Sequence, residues 1–257
     1  VNELSVLITS LPGAAEIAIA EIARLGFQHI DLVGKAKRPE PERQALADTG
    51  LIVDCVALGR DLPEACTLDA ADLDHRRRAV DEVKLQIAEA AQIGARIGYV
   101  VPCKQSEALP AFADSCQTLA VFAHGRKLQL CVEHFPGSAL PTAASTLDWL
   151  QGSGLENIKL VLDLGHCLIS REDPSALVEQ AGARLGYVQL DDNDGANDVH
   201  WPLLSGALKE DVLRGLLHRL REQDIHGGIA LELNGKLNEP LGNLVTSRQV
   251  VELLWKS

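Results

Sequence analysis

Apolar residues along the chain fall into two alternating rhythms. Runs of five to eight mostly aliphatic residues occur at Leu4–Ile8, Phe27–Val33, Leu51–Leu58, Arg96–Val101, Leu128–Glu133, Ile158–Asp163, Leu185–Leu190 and Ile229–Leu233. Continuous apolar runs of this length predict strands buried on both faces. Between them, Ala14–Arg24, Glu42–Ala47, Asp72–Ile93, Ala108–Ala123, Thr142–Leu150, Pro174–Ala183, Glu210–Arg221 and Ser247–Trp255 show helical spacing. Gly26, Gly34, Gly94 and the turn triplets Leu11-Pro12-Gly13 and Phe135-Pro136-Gly137 separate the two kinds of segment, and Asp191–Gly206 reads as a polar loop. Eight strands alternating with eight helical segments imply parallel βαβ units in an α/β fold, closed as a (β/α)₈ TIM barrel over residues 1–257. An open doubly wound sheet is the alternative. Against it, the first strand-to-helix turn, Ser10–Ala15, carries no Gly-x-Gly-x-x-Gly fingerprint.

The 257 residues suit one barrel of this size, and 46% apolar content is enough for its core. With only four Phe, three Trp and two Tyr, that core must be built mainly from aliphatic side chains. A net charge of −12 argues against a nucleic-acid partner and fits a small-molecule ligand or a cation held by carboxylates. The six cysteines, Cys55, Cys66, Cys103, Cys116, Cys131 and Cys167, form no Cys-x-x-Cys pair, which predicts reduced thiols in a reducing compartment. No signal-peptide pattern and no membrane-length apolar run appear, so a cytoplasmic location without membrane association is expected. The chain opens on Val1 rather than Met, which implies a processed or omitted start.

Candidate chemistry emerges where the later strands end. Cys131-Val132-Glu133, Val161-Leu162-Asp163, Tyr187-Val188-Gln189 and Ala230-Leu231-Glu232 each carry an oxygen-bearing side chain after an apolar run. In a barrel the carboxyl ends of neighbouring strands face one shared site. Two Glu, one Asp and one Gln there make an oxygen-rich cage suited to Mn²⁺ or Mg²⁺. Like charges buried together repel, so such a cluster calls for a cation or for protons. Each residue taken alone reads more often as an ordinary hydrogen-bonded strand-end residue. Four on consecutive strands favour a metal site.

With these positions in hand, the chain resembles the xylose-isomerase-like TIM-barrel superfamily, most closely from Leu128 to Leu233. The superfamily includes sugar phosphate isomerases and epimerases, hydroxypyruvate isomerase and endonuclease IV. The resemblance implies metal ligands at Glu133, Asp163, Gln189 and Glu232, with Gln at the third position as in the hydroxypyruvate isomerase branch. It implies a divalent metal, and an oxygen site with a histidine nearby favours Mn²⁺ ahead of Mg²⁺ or Co²⁺. The implied activity is isomerisation or epimerisation of a small sugar, sugar derivative or hydroxy-ketone, by proton transfer through a metal-stabilised enediolate between catalytic Glu133 and Glu232. Which glutamate is the base is not specified. His166, in Leu164-Gly165-His166, is placed by the resemblance near the substrate. Asp198-Val199-His200 stands where relatives carry an Asp-x-His or Arg/His element. The Pro-Gly-x-Gly that follows in relatives is replaced by Trp201-Pro202-Leu203-Leu204-Ser205-Gly206, which leaves His200 as a substrate or metal contact or a plain loop residue. Trp201 is expected to wall the substrate or to pack the loop.

His134, next to Glu133, should point away from the barrel interior as a structural residue, and His29, at a strand start, should lie on the opposite, stability face. His75 and Arg76–Arg78 begin a long helix and are expected on a solvated surface, with one arginine in reach of a substrate anion as the sharper alternative. His124, His218 and His226 are expected at the surface. Lys104 and Gln105 follow strand four and are candidates for the pocket lining. A lyase on the same cage, dehydrating a cyclic ketone or cleaving a sugar conjugate, is the enzymatic alternative. A non-catalytic partner subunit is the remaining one. Family members often form dimers or tetramers, and no stretch here marks an interface.

Overall fold

A computed structural model describes residues 3–223 and 228–256. Eight parallel strands run β1 (Leu4–Val6), β2 (His29–Val33), β3 (Ile52–Ala57), β4 (Ile97–Val100), β5 (Gln129–Glu133), β6 (Lys159–Asp163), β7 (Leu185–Leu190) and β8 (Ile229–Leu231). Each pairs with the next, β8 pairs with β1, and a parallel bridge between Leu7 and Asp31 completes the circuit from β1 to β2. The TIM barrel of the sequence reading is therefore observed, and the open sheet is excluded.

Helices α1 (Ala15–Arg24), α2 (Glu40–Thr49), α3 (Leu73–Gln92), α4 (Leu109–His124), α5 (Ala143–Gly152), α6 (Leu164–Ser170), α7 (Pro174–Ala181), α8 (Glu210–Glu222) and α9 (Pro240–Trp255) form the outer ring. Their inward stripes explain why they form. In α8, Leu213, Leu216, Leu217 and Leu220 recur at helical spacing and are buried, while acids begin the helix and Arg219 and Arg221 close it. Strand and helix positions match the sequence pattern to within a few residues, with differences at four elements. The short helix α6 follows β6 without a loop. The last helix starts seven residues earlier than Ser247, at Pro240, whose fixed φ suits a first turn. Strands β1 and β8 are shorter than their apolar runs, since Ile8–Ser10 turns into a 3₁₀ segment and β8 stops at Leu231.

Two cores result. A large one fills the space between strands and helices. A small one lies inside the barrel and is built from Cys55, Ala57, Ile97, Tyr99, Cys131, Val161, Tyr187 and Ala230. Strand side chains alternate, so the next inward positions after Cys131, Val161, Tyr187 and Ala230 are Glu133, Asp163, Gln189 and Glu232. Register places Asp163 beside Gln189 and Glu133 beside Val161. One parity rule puts all four oxygen-bearing residues on the barrel axis at its carboxyl end.

Below this layer, Asp31 is buried inside the barrel, where it accepts from Ser5 Oγ at 2.6 Å and from Tyr187 Oη at 2.7 and 2.8 Å. His29 Nδ1 lies 2.7 Å from Asp54 Oδ2, and Arg96 reaches Asp54 Oδ1 at 2.9 Å. This end of the barrel holds His29 as the sequence reading expects. His124 and His218 are exposed on helices, and His226 lies outside the described residues.

Candidate metal centre

Asp163 shows how local structure builds the site. It ends β6 and caps α6, its Oδ1 accepting the His166 N–H at 2.7 Å. The Asp-x-x-His spacing is thus a helix cap, and it turns His166 back over the strand ends. One carboxylate oxygen is spent on the cap. The other, Oδ2, is fully buried and has no hydrogen-bond partner.

Gln189 repeats the pattern. Its Nε2 donates to Glu232 Oε2 and to Tyr99 Oη, the latter at 3.2 Å, while its buried Oε1 has no partner. Glu133 is 4% exposed and Glu232 half-buried. Burial pushes both glutamates up, His166 opposes this at Glu133 and His200 at Glu232, and the neighbouring carboxylates push them further. Two unpartnered buried oxygens and two under-compensated glutamates facing one space are what a cation would satisfy. The donor set is all oxygen, which suits a hard divalent ion. Asp163 pairs with Gln189 across β6 and β7, Gln189 bonds Glu232, and Glu133 and Asp163 cluster with His166, so the chemistry of these donors fits a metal.

His166 is 0% exposed and its ligand atoms cluster with those of Glu133 and Asp163. Its Nδ1 donates to the His134 carbonyl at 2.8 Å, and a carbonyl only accepts, so that nitrogen carries a proton and is not free to ligate. Nε2 faces Asp198 Oδ1 at 3.5 Å. Burial lowers the ring, but Asp163, Asp198 and Glu133 outweigh it and raise it to about 10. This arrangement suits an N–H donor at the substrate side. His134 is buried, accepts the Asp163 N–H at Nε2 (3.2 Å), and is driven to about 3 by burial and by His166, so it is a neutral supporting residue.

The loop after β7 is far from a loose polar segment. Asp191, Asp192 and Asn193 are all buried. Asp192 gathers the loop by accepting from the backbone of Asn193, Gly206 and Leu208, and its own backbone pairs with Trp201. This pins His200, in the left-handed region at φ 49°, so that Nε2 lies 3.2 Å from Asp198 Oδ1 and Nδ1 lies 2.8 Å from Asp191 Oδ2. The Nδ1 contact is off hydrogen-bond direction, leaving both atoms without a satisfied bond. Burial lowers His200, but Asp191 and Asp198 raise it to about 12. Trp201 packs over Gly206, where an added Cβ would lie 2.8 Å from its ring. His200 is thus joined to the cage through Asp191 and Asp198, and Trp201 packs the loop.

Two residues escaped the sequence reading. Tyr99, buried on β4, gives the Gln189 amide its second acceptor. Arg60, just past β3, lies beside Tyr99 and in the field of Glu133 and Glu232. A Gly-Arg pair at a strand's carboxyl end was the available signal. By contrast Arg76 caps the Ala70 carbonyl and Arg77 pairs with Asp74, on the solvated helix start that was expected. Lys104 is exposed and lines a cavity of about 320 Å³ with Leu58, Gly59, Leu68 and Phe112.

Comparison with known proteins agrees with the fold. The model of the xylose isomerase-like TIM barrel family matches residues 19–251. An L-ribulose 3-epimerase of Mesorhizobium japonicum is 26% identical over 185 residues, covering 67% of this chain and 59% of that protein. A putative hydroxypyruvate isomerase of Streptomyces coelicolor is 30% identical over 99 residues, covering 38% of this chain and 33% of that protein. The chain thus matches less than two thirds of the length of either curated relative. A D-psicose 3-epimerase solved with D-fructose superposes with a TM-score of 0.82 at 16% identity, covering 99% of this chain and 100% of that one.

Proposed function

Since the chain belongs to the xylose isomerase-like TIM barrel family, we propose that it is a divalent-metal-dependent isomerase or epimerase of a small sugar or hydroxy-ketone. The observation that carries this is the pair of unpartnered buried oxygens, Asp163 Oδ2 and Gln189 Oε1, facing the same space as Glu133 and Glu232. The curated relatives, an L-ribulose 3-epimerase and a putative hydroxypyruvate isomerase, support an activity of this kind.

Glu133, Asp163, Gln189 and Glu232 would hold the ion, with Mn²⁺ favoured. When bound it supplies polarisation of a substrate carbonyl and its neighbouring hydroxyl. The chain's own residues do the rest. Glu133 and Glu232 end β5 and follow β8, so they approach the space between them from different sides of the barrel mouth. One removes the proton from carbon next to the carbonyl, and the other delivers a proton. Delivery to the opposite face of the same carbon epimerises, and delivery to the neighbouring carbon isomerises. His166 Nε2 and the His200 ring offer N–H groups to substrate oxygens, and Asp198 orients both. Trp201 and its loop cover this side and limit water.

The test is solvent exchange. After chelator treatment and reconstitution with Mn²⁺, deuterium should enter a ketose or hydroxy-ketone next to its carbonyl, as read by NMR. Glu133→Gln and Glu232→Gln should each lose the exchange. Metal-loaded protein that exchanges no member of a broad panel, but releases water or a leaving group from a cyclic ketone or sugar conjugate, would instead establish the lyase. Failure to bind any divalent metal would refute the cage itself.

A further inference from the structure

The cage is chemically lopsided. On the β6 and β7 side, Asp163, Asp191 and Asp198 surround two imidazoles. On the β3 and β4 side stands Arg60, with Lys104 beyond it lining the neighbouring cavity with Leu58 and Gly59. The Arg60 backbone is fixed from α3, where the buried Gln86 amide accepts the Gly59 N–H at 2.8 Å and donates to the Arg60 carbonyl at 3.0 Å. Gly59 takes φ 72°, which lets the chain leave β3 and turn across the barrel mouth. The Arg60 side chain then lies beside Tyr99, whose hydroxyl accepts from Gln189, so the guanidinium is one residue removed from the cage.

What Arg60 lacks is a carboxylate partner. Among the described residues no Asp or Glu oxygen lies within 4.0 Å of it, whereas the buried Arg38 is paired with both Glu42 and Glu89. A guanidinium has five N–H donors in a planar fork. Arg60 remains exposed, so the fork is available to a ligand lying over the strand ends. Glu133 and Glu232 contribute attraction at longer range, which keeps it charged.

We propose that Arg60 is a specificity residue which pairs with a carboxylate at the end of the substrate remote from the reacting carbonyl, so that the substrate is a keto or hydroxy-keto sugar acid rather than a neutral sugar. The inference rests on the proposed reaction for its orientation, with the carbonyl at the cage and the acid towards β3 and β4. A carboxylate fits better than a phosphate. One planar fork matches two carboxylate oxygens, and among the described residues no lysine or arginine hydrogen-bonds or ion-pairs with any of the four cage residues. A phosphate dianion among so many carboxylates would ask for more positive charge than one guanidinium supplies.

The test compares ligands that differ in charge but cannot react. Mn²⁺-loaded protein is titrated calorimetrically with aldonates of four to six carbons and with the alditols of the same configuration, D-gluconate and D-glucitol among them. At least one acid should bind about tenfold or more tightly than its alcohol. Arg60→Gln should weaken that acid by about 10–100-fold, the range for a charge-assisted hydrogen bond, and the alcohol by less than about threefold. Arg60→Lys, which keeps the charge but not the fork, should fall between. No preference for any acid in the native protein, or equal losses for acid and alcohol in Arg60→Gln, overturns the proposal. Tighter binding of an alditol phosphate than of every acid overturns the carboxylate assignment. The exchange experiment stands apart from this one. Exchange of a neutral ketose with Arg60-independent binding sinks only this inference, and Arg60-dependent acid binding without any exchange sinks only the isomerase reading.

Discussion

Replacing Asp31 by Asn should change how the protein's stability depends on pH, and by a calculable amount. Asp31 is 2% exposed inside the barrel, remote from the metal cage. Burial raises its carboxyl from 3.8 to about 7, against the lowering effect of Ser5, Tyr187 and the Cys55 backbone, with Asp54 adding a further push upward. His29 and Arg96 face Asp54 rather than Asp31, so among the described residues no cation offsets it directly. A carboxyl whose folded-state value is raised favours folding only while it is protonated. Below about pH 4 both states hold the proton and nothing is lost. Between about 4 and 7 the unfolded chain releases it and the folded chain does not, so stability falls as pH rises. Above about 7 the loss is complete, at about 4 kcal/mol for a shift from 3.8 to about 7. Roughly 3 kcal/mol of this should be lost between pH 5 and pH 9. The measurement is urea unfolding of native protein and Asp31→Asn at pH 5, 7 and 9. The native-minus-variant difference should decline by that amount, whatever the absolute cost of the amide. A difference that stays flat within about 0.5 kcal/mol would show that Asp31 titrates normally and refute the reasoning.

Three other perturbations probe the cage and its supports. Mn²⁺ at a hundredfold excess over its dissociation constant should add about 3 kcal/mol, or roughly 5–10 °C in Tm. Asp163→Asn, which keeps the helix cap because Asn caps as well as Asp, should lose most of that shift, and an equal shift in both proteins would place the ion elsewhere. Gly165→Ala puts a Cβ 2.3 Å from Asp191 Oδ1, the acceptor of the Gly165 N–H, so Asp191 must move away from His200. A cost of about 1–3 kcal/mol in unfolding experiments is expected, with exchange activity reduced further than Tm alone explains. Arg38→Ala leaves Glu89 buried without its cation and Glu42 with Lys35 alone, and should cost about 3 kcal/mol, whereas Arg43→Ala, at a surface pair, should cost under about 1 kcal/mol.

The fold was legible because its signal is repeated. Eight apolar runs and their helical partners each follow from local periodicity, and closure follows from their number. What periodicity misses is structure held by single side chains. Helix α6 is only Leu164–Ser170, too short to show a stripe, and it exists because Asp163 caps it and because Gly165 lets Asp191 approach. The segment 191–206 reads as solvent-exposed because it is polar, yet Asp191, Asp192 and Asn193 are buried. Their polarity serves backbone groups within the loop rather than water, and composition does not distinguish those two uses.

The site divides in the same way. Glu133, Asp163, Gln189 and Glu232 share an inward parity with the small barrel core, so strand alternation alone brings them together. Arg60 and Tyr99 arrive by different routes. Tyr99 is an inward core residue whose hydroxyl happens to sit one layer below the cage, and sequence gives no reason to treat it as other than core. Arg60 depends on a clamp from Gln86, twenty-six residues further along the chain. Contacts of that range are invisible to spacing. Asp163 shows why a motif can be right for two reasons at once: one oxygen caps a helix, which explains the Asp-x-x-His spacing without any ligand, and the other is left buried and unpartnered. A cap accounts for the first oxygen and not for the second. That residual lone pair, rather than the motif, is the stronger argument for a cation.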